Sequence, residues 1–95
     1  MSSGFVPDAK FWELADSFIG LANKHTKDVP KNRVSATLLY AAARFNSFVA
    51  ATGARSKAEF IADRESIVKY FLEQYEKMLR ENLEEHARDF TSVSG

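Results

Sequence analysis

The sequence predicts an all-α fold, a three-helix antiparallel bundle whose C-terminal helix is much longer than the other two. Apolar residues recur every three or four positions over three long segments, which is the spacing of one helix face. Both prolines precede such segments, and a serine capping signature starts the last one. With 95 residues the chain is long enough for one domain, predicted over residues 1–95, and too short for two.

The first helix is predicted over residues 8–24. Asp8 follows Pro7 and can accept hydrogen bonds from the unpaired amides of the first turn. On a helical wheel the apolar and polar residues of this segment separate completely, so we expect one broad buried face. That face comprises Phe11, Trp12, Leu14, Ala15, Phe18, Ile19, Leu21 and Ala22.

The second helix is predicted over residues 32–52, between a loop that contains Pro30 and the helix-ending Gly53. Beyond its first turn its only charged residue is Arg44. A helix that is apolar nearly all round should be buried on more than one side. The predicted core face consists of Val34, Leu38, Ala41, Phe45, Phe48 and Val49.

The third helix is predicted over residues 57–90 as one uninterrupted element. Ser56 and Glu59 form a capping-box signature at its start, and no glycine or proline follows. Four acid–base pairs at i,i+4 favour the helix. They are Glu65–Lys69, Glu73–Lys77, Glu76–Arg80 and Glu84–Arg88.

The unequal helix lengths predict self-association. At ~1.5 Å per residue the helices span roughly 25, 30 and 50 Å, so the end of the third extends beyond its neighbours. An exposed apolar strip on that overhang is unfavourable for a monomer. We therefore expect a homo-oligomer, most simply a two-fold dimer. The predicted interface residues are Leu79, Leu83, His86 and Phe90.

Composition argues against several partners and cofactors. The net charge of zero argues against dedicated nucleic-acid binding and against a polybasic membrane anchor. The absence of cysteine rules out thiol catalysis, zinc thiolate sites and disulfides. The N-terminus has no secretory signal pattern and no segment is apolar enough to span a membrane, so we expect a cytoplasmic protein.

The sequence contains no catalytic constellation. It has no nucleophile motif and no phosphate-binding glycine loop, and its two histidines, His25 and His86, are isolated. We therefore expect no metal and no cofactor. Enzymatic activity is not excluded, but a non-enzymatic role is favoured.

Polar residues that interrupt the apolar faces are the candidate site residues. Buried polar groups must be paired, so they either bond to each other in the core or interface, which we favour, or bind a ligand. The candidates are Tyr40, Arg44, Asn46, Arg64 and Tyr75.

Three segments of the sequence resemble a small proteobacterial family of all-helical proteins, which is a domain of unknown function. The segments are 11–19, the string Leu39-Tyr40-Ala41-Ala42-Ala43-Arg44-Phe45-Asn46, and 70–83. The resemblance covers about residues 11–90 and implies a bacterial, cytoplasmic, helical protein. It implies no activity.

Three functional hypotheses follow. The first is a non-enzymatic, self-associating module that can also bind another, unidentified protein. The second is a small-molecule or anion-binding protein that uses Arg44, Asn46 and Arg64. The third is weak nucleic-acid binding through the basic segment 24–33, which holds Lys24, Lys27, Lys31 and Arg33.

Overall fold

The computed structural model describes residues 5–90 and shows an all-α protein with four helices and no strand in that range. The helices are α1 (Ala9–His25), α2 (Lys31–Gly53), α3 (Lys57–Ala62) and α4 (Arg64–Arg88). The all-α prediction is confirmed, and α1 and α2 each begin and end within one residue of their predicted bounds. The prediction of three helices is wrong, because the third predicted segment forms two helices.

Asp63 separates α3 from α4. Its backbone lies at φ −88° and ψ 0°, outside the usual α-helical values. The hydrogen bonds continue across this residue: its amide donates to the Glu59 carbonyl, and its carbonyl accepts from the Ile67 amide, each at 3.0 Å. Aspartate is a poor residue for a helix interior. The break is therefore a local departure from α-helical backbone angles, without glycine or proline.

Side chains cap α1 and α3 at the predicted positions. The Asp8 carboxylate accepts from the Phe11 amide at 2.9 Å. The Ser56 hydroxyl accepts from the Glu59 amide at 3.1 Å. The Glu59 carboxylate accepts from the amide and the guanidinium of Arg55, each at 3.1 Å, rather than from the Ser56 amide of a capping box.

Ser56→Ala is expected to lower the free energy of unfolding by about 1 kcal/mol, because the first turn of α3 loses its cap. The matched control is Ser66→Ala, since the Ser66 hydroxyl only donates to the Asp63 carbonyl behind it, at 2.8 Å. Urea unfolding at one fixed protein concentration measures both variants. Equal midpoints for the two variants would contradict the capping role.

Exposed ion pairs follow the predicted ladder in part. Arg80 and Glu76 lie 2.8 Å apart, and Arg88 and Glu84 lie 3.6 Å apart. Lys69 is paired with Glu73 at 3.9 Å, instead of with Glu65 as predicted. Each such exposed pair stabilises the helix by only about 0.2–0.5 kcal/mol.

The chain divides into two compact units, Met1–Phe48 and Val49–Gly95, and the division falls within α2. The first unit contains α1 and most of α2. The second contains the end of α2 together with α3 and α4, which contact each other. The antiparallel bundle and the single domain over 1–95 stay predictions.

Burial differs most from the expectation. Among the described residues, Val34 is the one buried hydrophobic side chain, with 8% of its surface exposed. The other large residues of the predicted α2 core face are exposed: Leu38, Phe45, Phe48 and Val49. The apolar faces therefore form as the sequence predicts, but one copy of the chain does not cover them.

Candidate functional site

The helix α4 carries two apolar faces that differ in exposure. Five of its residues are half-buried: Ile67, Tyr70, Phe71, Gln74 and Met78. The neighbouring face is exposed, and we call it the α4 stripe. Its members are Val68, Leu72, Tyr75, Leu79, Leu83 and His86. The apolar spacing of the third predicted helix places both faces on one side and does not separate them.

The α4 stripe is narrow and uncharged. At ~100° per residue its six members fall within an arc about 80° wide that no other residue between 68 and 86 shares. Leu72 and Leu83 leave 63% and 59% of their surface exposed. One edge of the arc is lined by the paired charges of Lys69, Glu76 and Arg80. The other edge borders the half-buried face.

The predicted interface residues are all exposed, and their role stays a prediction. Leu79, Leu83 and His86 lie on the α4 stripe. Phe90 follows the end of α4 and is also exposed. These four residues are therefore accessible to a partner, as the prediction requires.

The helix α1 repeats the two-face pattern. Phe11, Ala15 and Ala22 are half-buried, at positions that share one side of the helix. Beside them lie five exposed large residues: Trp12, Leu14, Phe18, Ile19 and Leu21. The rings of Phe11 and Trp12 meet edge to face with centroids 5.0 Å apart. Apolar surface without cover is thus present in both units of the chain.

The candidate polar residues do not lie in a buried network. Tyr40, Arg44, Arg64 and Tyr75 are exposed, and only Asn46 is half-buried. Arg44 and Asn46 are two residues apart, so they point about 160° apart around α2 and do not face one small ligand together. Tyr75 belongs to the α4 stripe. Their assignment to a ligand site stays a prediction.

The basic segment 24–33 connects α1 to α2. The Val29 and Asp28 amides donate to the His25 carbonyl at 3.0 and 3.2 Å, and the Thr26 hydroxyl donates to the Asn23 carbonyl at 2.6 Å. Its four basic residues are exposed. The local bonding accounts for the turn, and the geometry adds no argument for a nucleic-acid surface.

Two further properties concern the part of the chain from residue 5 to 90. No three histidine or acidic side chains there come close enough together to hold a metal ion. None of the helices in that part combines the length and apolar character required to cross a membrane. The principal surface feature of the described residues is therefore their exposed apolar faces.

Comparison with known proteins gives the family and the fold. The chain is similar to a solved structure from a Shewanella species, the NMR structure of the protein NB7890A. The two share 26% identity over 90% of this chain and 92% of that chain, with a TM-score of 0.76. No curated protein matches the chain. The family described as "Protein of unknown function (DUF3144)" matches residues 11–87, which is most of the chain. The chain therefore belongs to the DUF3144 family of proteins of unknown function.

Proposed function

We propose that this protein is a non-enzymatic, self-associating helical module that acts as a cytoplasmic homodimer and presents helix surfaces to other proteins. The observation that carries the proposal is the exposure of nineteen large apolar or aromatic side chains among the described residues, against one buried hydrophobic residue. Soluble monomers avoid extensive apolar surface of this kind.

Burial between copies of the chain explains this exposure. Complete removal of a large apolar side chain from water contributes about 1.5–3 kcal/mol, and the isolated chain forgoes roughly half of this at positions that are 43–66% exposed. Small domains are marginal in stability even with a complete core. An obligate dimer resolves the deficit, because its interface resembles a domain core divided between two chains. Folding and association are then one coupled process.

The test is the mass in solution, measured by light scattering coupled to size-exclusion chromatography. We expect about 21 kDa, twice the chain mass of 10.7 kDa. We also expect the melting temperature to rise with protein concentration, as it does when dimerisation and folding are coupled. A mass near that of one chain, together with a melting temperature independent of concentration, would overturn the proposal.

A further inference from the structure

Two copies of α4 can cover each other's apolar surface, and we infer that the homodimer forms through the α4 stripe with the two helices antiparallel. The inference rests on the proposed self-association and specifies its surface, orientation and register. A second copy of this chain fits the stripe because the stripe is complementary to itself in both apolar pattern and charge.

The spacing of the α4 stripe is nearly symmetric. Its residues are separated by four, three, four, four and three positions, so the pattern reads almost the same in both directions from Lys77. A two-fold axis perpendicular to α4 at the level of Lys77 places every stripe residue opposite a stripe residue of the other copy. The facing pairs are Val68 with His86, Leu72 with Leu83, and Tyr75 with Leu79.

The stripe also runs nearly parallel to the axis of α4 instead of winding around it. Val68 and Leu79, like Leu72 and Leu83, are eleven positions apart. An eleven-residue period corresponds to about 3.67 residues per turn, close to the 3.6 of an α-helix, so the stripe runs almost parallel to the helix axis. Two such helices can lie side by side over about 27 Å, the length from Val68 to His86 at ~1.5 Å per residue.

The two edges of the stripe favour the antiparallel orientation. One edge is charged and exposed, whereas the other borders the half-buried face. In an antiparallel pair each edge meets the same edge of its partner, so charges face charges and covered surface faces covered surface. In a parallel pair the charged edge of one copy would meet the half-buried face of the other, which desolvates charges without pairing them.

The charged edge is complementary to itself in this register. Within one chain Arg80 Nε lies 2.8 Å from the Glu76 carboxylate. The two-fold axis near Lys77 brings Glu76 of each copy beside Arg80 of the other and brings the two copies of Glu76 equally close, so two attractive pairs outweigh one repulsive pair. Each dimer thus gains two interchain pairs of opposite charge. A shift of the axis toward Gln74 would instead bring Lys69 of one copy near Arg80 of the other, which is unfavourable.

The first test mixes two charge variants, Glu76→Arg and Arg80→Glu, and determines dimer composition by native mass spectrometry. A homodimer of either variant places like charges across the axis, whereas the mixed dimer places opposite charges there. Each variant chain has the same intrachain contacts in the mixed dimer as in its homodimer. A preference for the mixed dimer therefore measures contacts between chains. We expect the ratio of the mixed dimer to the two homodimers together to exceed its statistical value of one several-fold. The preference should fall in 1 M salt.

The control mixes Glu81→Arg with Arg88→Glu, two exposed positions far from the stripe, and should give the statistical share. A statistical share for the test pair as well would overturn the antiparallel register.

Single cysteines provide an independent measurement, because the natural chain has none. Leu72→Cys and Leu83→Cys proteins, mixed and oxidised, should form the 72–83 disulfide several-fold more than either forms a disulfide with itself. Peptide mapping identifies the linkage. Lys77→Cys, on the opposite side of α4, should not link. Preferential self-linking at 72 and 83 would show a parallel pair and overturn the inference.

The results separate this inference from the proposed function. If the chain has the mass of a dimer but neither the charge preference nor the 72–83 linkage appears, association uses another face: the inference fails and the proposed function stands. If the chain has the mass of a monomer at every concentration, both fail.

Discussion

Leu79→Glu is expected to convert the dimer into a monomer. Leu79 lies near the centre of the α4 stripe with 43% of its surface exposed in the single chain, so it is accessible for burial by a partner. Each dimer contains two copies, and burying the exposed 43% of two leucines contributes about 1–3 kcal/mol, to which the burial of two carboxylates adds a cost of several kcal/mol. The dissociation constant should rise at least about a hundredfold, since 1.4 kcal/mol corresponds to a factor of ten. Sedimentation equilibrium measures it.

The matched control is Lys77→Glu. Lys77 is exposed, carries no apolar contact surface of the stripe, and lies on the opposite side of the same stretch of α4. This substitution changes the net charge by two, more than Leu79→Glu does, so a general charge effect would appear more strongly in the control. An unchanged dissociation constant for Leu79→Glu would exclude the α4 stripe from the interface.

Val34→Asp is expected to lower the free energy of unfolding by about 3 kcal/mol or more, because it places a carboxylate where the chain excludes water. The location of Val34 in the helix makes the expected loss of stability easier to attribute to burial. Val34 lies in the first turns of α2, and its amide donates to the Pro30 carbonyl at 3.1 Å. An exposed aspartate there would stabilise the helix by about 0.3–1 kcal/mol through the helix dipole. The cost of burying the carboxylate is therefore opposed by this small stabilisation from the helix dipole.

The neighbouring Ser35 provides the control for this prediction. It is exposed in the same turn of α2, so Ser35→Asp should not lower the free energy of unfolding and should raise it by up to about 1 kcal/mol through the helix dipole. Val34→Ala should be intermediate, with a loss of about 1–2 kcal/mol from the deleted methyl groups. Urea unfolding followed by circular dichroism measures all three at one protein concentration. Equal stability of Val34→Asp and Ser35→Asp would show that Val34 is not a core residue.

Local features of the fold were predictable because their causes lie within a few residues. Asp8 and Ser56 cap helices since a short polar side chain can reach an amide three residues on, and both bonds are present. The break at Asp63 was not predictable in the same way. Aspartate costs a helix interior well under 1 kcal/mol, and other residues of similar propensity, such as Ser66, continue the helix without a break.

The candidate site was predictable only in outline. Leu79, Leu83 and His86 are accessible, as the interface prediction requires. The polar candidates Arg44 and Arg64 interrupt apolar patterns, which predicts that they are buried. Both are exposed: Arg44 lies beside the exposed Tyr40 and Phe48, whereas Arg64 lies at the border of the half-buried face that contains Ile67. A polar residue among apolar neighbours indicates a buried network only when those neighbours are themselves covered.

The sequence by itself determined the helical class, the bounds of α1 and α2, the caps and the position of the apolar faces, since all depend on spacing and on contacts within one or two turns. Only the tertiary structure decided which faces are covered. Ile67 and Val68 are adjacent, apolar and equally suited to a core, yet the first is half-buried and the second exposed. Burial depends on which surfaces a helix meets in space. Because hydrophobic attraction is non-directional, the sequence of a helix does not show which of two adjacent apolar faces will be covered.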